Sequence, residues 1–205
     1  MRLFRLYSEE KAKQIISEQG ALIDSVCASY RVPPAYLKAI LLMELPEIDC
    51  FDLAADILVS FNWLRYSHGR SFVLDRHTSN PLRKFDSSTG YGQIFSQVAI
   101  EAILFAKSEG IPLLLGIPGE LYPFNPDDLQ RVWKRLNRDR VFNLSCAVLN
   151  IIHAAFQMTG KVDFDSYSEE EKKRIFSRYN GNVKAISPYG EKAYRYYRMY
   201  EAGAV

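Results

Sequence analysis

The sequence predicts an all-α protein with at most a minor β element: an irregular bundle of about seven helices in a single domain, residues 1–205. Three observations carry this. Apolar residues recur at offsets of three and four through most of the chain, the spacing that gathers side chains on one face of a helix. Prolines and glycines fall where helices start and stop rather than inside them. No stretch alternates apolar and polar residues as a half-buried strand does.

Each element follows in order. Ser8 can cap a first helix, expected over about 8–29, with Glu9 and Glu10 near its positive end and Ile15, Ile16, Leu22, Ile23 and Val26 along its apolar stripe. Pro33-Pro34 opens a second helix, which runs to about Leu45 and stops at Pro46. Leu53, Ile57, Leu58, Phe61 and Leu64 predict a helix over 51–66, and residues 67–92 turn polar, as a long loop does. Ser96 then caps a helix that Gly110 ends. A Gly/Pro-broken connector leads to Asn125-Pro126, which opens a helix striped by Leu129, Val132, Trp133 and Leu136. Another spans about Val141 to Met158, with Gly160 after it. Ser168 and Glu171 make a capping box for the next, "YNGN" breaks that helix, and Ser187-Pro188 starts a tyrosine-rich last one. "FDSSTGYGQIF" can hold a short extended piece.

Composition narrows the function classes. Hydrophobic residues make up 48% of the chain, which predicts a soluble globular protein, and a net charge of +2 is too mild to argue for nucleic acid or membrane adhesion. The three cysteines, Cys27, Cys50 and Cys146, are odd in number and widely spaced, so they read as buried thiols rather than a disulfide framework. His68, His77 and His153 lack ligand spacing, so no metal and no cofactor is expected. No stretch reads as a membrane span and no export leader is visible at the N-terminus, which leaves the localisation open.

Two segments carry chemistry. In "AYLKAILLMELPEID", Glu44 shares a helix face with Leu37, Ile40 and Leu41. A carboxylate on an apolar face loses water and tends to hold its proton, as a general acid must near neutral pH. A bland alternative is a glutamate paired with an arginine or swung outward. In "DSSTGYGQI", Gly90 and Gly92 bracket Tyr91 and let the backbone approach a ligand closely, while Asp86, Ser88 and Gln93 offer polar contacts suited to a sugar. The same residues also suit an ordinary Asx-type turn.

Three segments in this order, "YRVPPAYLKAILLMELPEID", "SSTGYGQIFSQVA" and "IFSRYNGN", resemble the lysozyme-like superfamily of lytic transglycosylases and goose-type lysozymes, with "VFNLSCAVLNIIHAAF" standing where that family places an Asn-Ile helix. The resemblance implies a lysozyme-like domain with an insertion at about 50–84. It implies that Glu44 protonates the MurNAc-GlcNAc β-1,4 bond of peptidoglycan glycan strands. Gly92 and Gln93 would then lie along the glycan groove, Tyr179 and Asn180 would contact the sugar at the bond to be cut or orient Glu44, and Asn143 would sit on a structural helix near them. Leu45-Pro46 stands where the family usually has serine, the stretch from Glu44 to Gln93 is longer than usual, and Asn180-Gly181 lacks the family's intervening residue.

A lytic transglycosylase needs the one glutamate, by resemblance, whereas an inverting lysozyme adds a carboxylate that activates water. Asp86 is the candidate, with Glu47, Asp49 and Asp52 as rivals. The substrate would place the protein in the periplasm, cell wall or extracellular space, as a phage-type lysin or a secretion cargo would be. The alternatives are a peptidoglycan-binding or scaffold protein without catalysis, and a helical nucleic-acid module using "RVWKRLNRDR", a stretch that reads more simply as the solvated face of an amphipathic helix. Tyr189, Tyr194, Tyr196, Tyr197 and Tyr200 of the last helix could stack on sugars, but at this spacing most read as packing.

Overall fold

The computed structural model describes residues 5–67, 85–114, 116, 120–182 and 184–203. Among them the chain is all-α. It forms α1 (Glu9–Glu18), α2 (Gly20–Ser29), α3 (Pro34–Glu44), α4 (Cys50–Ser67), α5 (Ser96–Ser108), α6 (Pro126–Arg138), α7 (Arg140–Thr159), α8 (Glu169–Tyr179) and α9 (Pro188–Glu201). A 3-10 turn, Leu45–Glu47, follows α3 and contains Pro46.

The expected first helix is two. It breaks at Gln19, whose N–H closes the last turn of α1, and restarts at Gly20, where the backbone pays the largest entropy cost of helix formation. The caps read from sequence at Ser8, Asn125, Ser168 and Ser187 are made by those side chains. Helix α2 closes in a Schellman motif: Val32 N–H reaches the carbonyl of Cys27 while Arg31 takes a φ of 56°. Helix α8 ends the same way, with Asn182 N–H on the carbonyl of Ser177 and Gly181 at a φ of 88°, where glycine has no Cβ to strain.

Helix α7 is the core. It packs against α2, α3, α5, α6 and α8, and most of it is buried. By length and composition it could cross a membrane, contrary to the sequence reading, but here its apolar surface is spent on neighbouring helices. Helix α3 is sheathed by α9, α1 and α2, which buries Tyr36, Leu37 and Ala39 to Met43. Helix α4 is peripheral: Val59, Asn62 and Trp63 are buried, while Leu53, Ile57 and Phe61 are exposed. Cys27 and Cys146 are buried free thiols, and burial pushes Cys27 up to about 12. Cys50 departs from expectation and is exposed at the start of α4.

Of the expected loop over 67–92, residues 68–84, with His68 and His77, lie outside the described residues. Residues 85–95 form a tight turn closed by a lone antiparallel bridge between Thr89 and Ile94, the short extended piece. Helices α4, α6 and α7 are among those that anchor it. Asp56 of α4 accepts from Ser87 Oγ at 2.6 Å and Thr89 Oγ1 at 2.9 Å. Asn137 of α6 donates to the same carboxylate at 2.9 Å, and Trp133 Nε1 donates to Ser87 at 3.0 Å. Asn143 of α7 takes the third side, as described below.

Candidate active site: a cleft around Glu44

Glu44 is the last residue of α3. The residues before it are buried by α9 and α7, and Leu45 after it is fully buried, so the carboxyl is held at the edge of the core rather than frayed outward. It looks into a cleft of about 390 Å³ whose walls include Gln93, Ile94, Phe95, Asn150, Tyr179 and Asn180. Tyr189 Oη donates to Glu44 Oε1 at 2.5 Å. Burial pushes the carboxyl up to about 7, the Tyr189 bond pulls it down in part, and the negative charge of Glu47 adds to the rise. The group is therefore close to half protonated at neutral pH, poised both to give and to take a proton.

The glycine turn is built against α7. Asn143, buried, accepts from Gly92 N–H at 2.9 Å and donates through Nδ2 to the carbonyls of Thr89 at 3.0 Å and Leu136 at 3.3 Å. This explains the glycines. A Cβ on Gly90 would sit 2.2 Å from Asn143 Nδ2, and one on Gly92 would sit 3.0 Å from the Cβ of Ala147. Gln93 takes a φ of 46°, and its side chain braces the turn, donating to the Gly90 carbonyl at 2.8 Å and accepting from Ser88 Oγ at 3.1 Å. Tyr179 Oη donates to the Gly92 carbonyl at 2.9 Å, tying the end of α8 to the turn. Burial, then the charge of Glu44, holds the Tyr179 phenol well above its usual range.

The residues expected at the site thus divide. Glu44, Gln93, Tyr179 and Asn180 line one cleft, although their segments lie far apart in the chain. Ser88, Gly90 and Gly92 shape the turn behind the cleft wall. Tyr91, half-buried, lies beneath the Arg140 guanidinium, 5.1 Å from the ring centre.

Asp86 is a correction. It is buried, and its two carboxylate oxygens accept from the backbone N–H groups of Ser96 at 3.0 Å and Gln97 at 3.2 Å. It caps α5, the job expected of Ser96, which instead occupies the first turn after Phe95. Among the described residues it does not line the cleft around Glu44. The rivals are also occupied: Glu47 pairs with Arg5 at 2.5 Å, and Asp49 and Asp52 bond reciprocally around the start of α4.

Sequence reasoning missed four polar side chains of the cleft: Glu101, Asn150, His153 and Arg178. Gln97 and Glu101 sit one turn apart and bond at 2.8 Å, a spacing that could have flagged them. Tyr189, read as packing, is the partner of Glu44. Among the described residues no group of three or more His, Cys, Asp and Glu side chains is placed to hold a metal ion. The basic stretch of α6 has its apolar stripe buried, and Arg131 and Arg135 pair with Asp128 and Asp139. No family model, no curated protein and no solved structure matches this chain.

Proposed function

We propose that the protein is a peptidoglycan-cleaving glycosidase, of lytic transglycosylase or muramidase type, in which Glu44 is the general acid and base. The observation that carries this reading is the Glu44 carboxyl, raised to about 7, facing a cleft it shares with Gln93, Tyr179 and Asn180. The resemblance of the three segments to the lysozyme-like superfamily supports it independently of that electrostatics.

In the first step the protonated Glu44 gives its proton to the glycosidic oxygen between MurNAc and GlcNAc. The carbon–oxygen bond breaks and the sugar becomes oxocarbenium-like. The carboxylate so formed then takes a proton from the attacking hydroxyl, either the 6-hydroxyl of the same sugar, which closes an anhydro ring, or a water. Tyr189 keeps one carboxyl oxygen bonded throughout and leaves the other for the substrate. Half-exposed Phe95 offers an apolar surface for a sugar face.

The test is digestion of purified cell wall by the wild type and by Glu44→Gln, with products read by mass spectrometry. The expected result is soluble muropeptides from the wild type and a loss of about 10²- to 10⁴-fold in the variant. Anhydro products identify the transglycosylase route, and reducing ends identify hydrolysis. Equal release by both proteins, or none by either, refutes the reading. A second reading, a glycan-binding protein without catalysis, is favoured by one feature: the buried Leu45 stands where the related enzymes have serine, so no hydroxyl follows the acid. That reading requires wall binding without product.

A further inference from the structure

The cleft holds a cation that the cleavage chemistry does not use. Arg178, half-buried at the last turn of α8, precedes Tyr179 and lines the same cleft as Glu44. Its Nε–H donates to Gln157 Oε1 at 2.6 Å. Its two terminal nitrogens make no hydrogen bond or ion pair to a protein acceptor among the described residues. Two other cations of α8 are paired: Arg174 with Glu170, and Lys173 with Glu169 and Glu191.

The guanidinium is also held in place. Arginine can only donate, so Gln157 must present its oxygen to Arg178 and its amide nitrogen to His153. That nitrogen lies 2.8 Å from His153 Nε2, which must then be the acceptor, with the ring neutral and its proton on Nδ1. His153 is stacked on Phe105, with ring centres 4.7 Å apart and planes inclined by 17°. Burial first, and then the charge of Arg178, keep the ring below its usual range, which preserves the accepting form. A rigid aromatic pair thus orients Gln157, and Gln157 orients the guanidinium.

We infer that Arg178 is the anion-reading residue of the cleft, and that it takes a carboxylate carried by the 3-O-lactyl group of muramic acid, free or through the peptide built on it. This deepens the glycosidase reading and rests on it. A partly desolvated guanidinium gains most from a planar two-oxygen acceptor met by its fork of N–H groups. The cleft also contains the carboxyls of Glu44 and Glu101. Against one guanidinium, those two carboxyls disfavour a dianionic phosphate and accommodate a monoanion. A neutral N-acetylglucosamine polymer offers Arg178 no anion at all.

The experiment separates binding from cleavage. Three probes are used: glycan strands stripped of peptide by an amidase, strands that keep their peptides, and a neutral chitin hexamer. Affinity is measured by calorimetry in the Glu44→Gln background, with and without Arg178→Gln, and cleavage is measured in wild type and Arg178→Gln. The expected result is that Arg178→Gln weakens binding and kcat/KM on the anionic strands about 10- to 100-fold and changes the hexamer less than about threefold. Arg178→Lys, which keeps the charge without the fork, falls between. Gln157→Leu loses part of the preference with the charge intact. Loss on the stripped strands alone identifies the lactyl carboxylate; loss on the peptide-bearing strands alone identifies a peptide carboxylate. Equal effects on anionic and neutral probes, or none, overturn the inference even where the wild type cleaves. Arg178-dependent binding without cleavage by the wild type leaves the inference standing and refutes the glycosidase reading. No binding of any strand overturns both.

Discussion

The hydroxyl of Tyr189 sits 2.5 Å from Oε1 of Glu44 and joins the last residue of α3 to the first turn of α9. It is the hydrogen bond that offsets burial at the carboxyl, since it stabilises the charged form.

Removing it should move the acid's titration. In Tyr189→Phe the carboxyl keeps its burial and loses a donor, so its pKa should rise by about one unit. The pH profile of kcat/KM on cell wall, measured for both proteins, should shift its Glu44 limb toward alkaline pH by that amount. An unmoved limb shows that the bond does not tune the acid.

The raised pKa has a cost in stability. The folded value, about 7, lies above the 4.5 of an ordinary glutamate, so Glu44 binds protons more tightly folded than unfolded. Its effect on stability is most favourable below about pH 4.5 and is progressively lost as pH rises through about 7. Glu44→Gln, whose amide oxygen can still accept from Tyr189, should therefore be more stable than wild type at pH 8, by about 3 kcal/mol. The difference should vanish near pH 4. Denaturant melts at the two pH values check the sign, and a gap that widens toward acid contradicts it.

Asp86→Asn separates a cap from a catalyst. An amide caps a helix start less well than a carboxylate and cannot accept through both atoms, so stability should fall by about 1–2 kcal/mol. Turnover on cell wall, measured below the melting range, should stay within about threefold of wild type, whereas loss of a general base costs about 10²-fold or more. A drop of that size returns Asp86 to the chemistry.

Gly90→Ala should be among the costliest small substitutions. The added methyl would meet Asn143 Nδ2 at 2.2 Å and the Leu136 carbonyl oxygen at 2.9 Å, and the residue would keep a φ of 70°. A loss of about 2–4 kcal/mol is expected by thermal or denaturant melting. The comparison is Gly110→Ala, also at positive φ but with open space around it, where about 1 kcal/mol is expected.

Much of the helical plan was legible because its signals are local. The side-chain caps at Ser8, Asn125, Ser168 and Ser187, and the stop at Gly181, are set by residues within one turn of the helix end. Glu44 was legible as an acid on an apolar face for the same reason. Asp86 was not legible as a cap, because it serves a helix ten residues further on, across the glycine turn. The far wall of the cleft was hidden more deeply. Glu101, His153 and Arg178 sit on α5, α7 and α8, and no periodicity says which faces of three separate helices meet. The break at Gln19 was missed because the apolar stripe of α1 and α2 continues across it.

The packing of α9 on α3 also fixes when the Glu44 carboxyl leaves water. While the polypeptide is emerging from the ribosome, the segment bearing Tyr189 trails most of the fold, and the glutamate remains an ordinary, hydrated side chain. Its raised pKa is acquired late, once α9 docks on α3, so a chain that ended before α9 would carry at position 44 a carboxyl that titrates as an ordinary one.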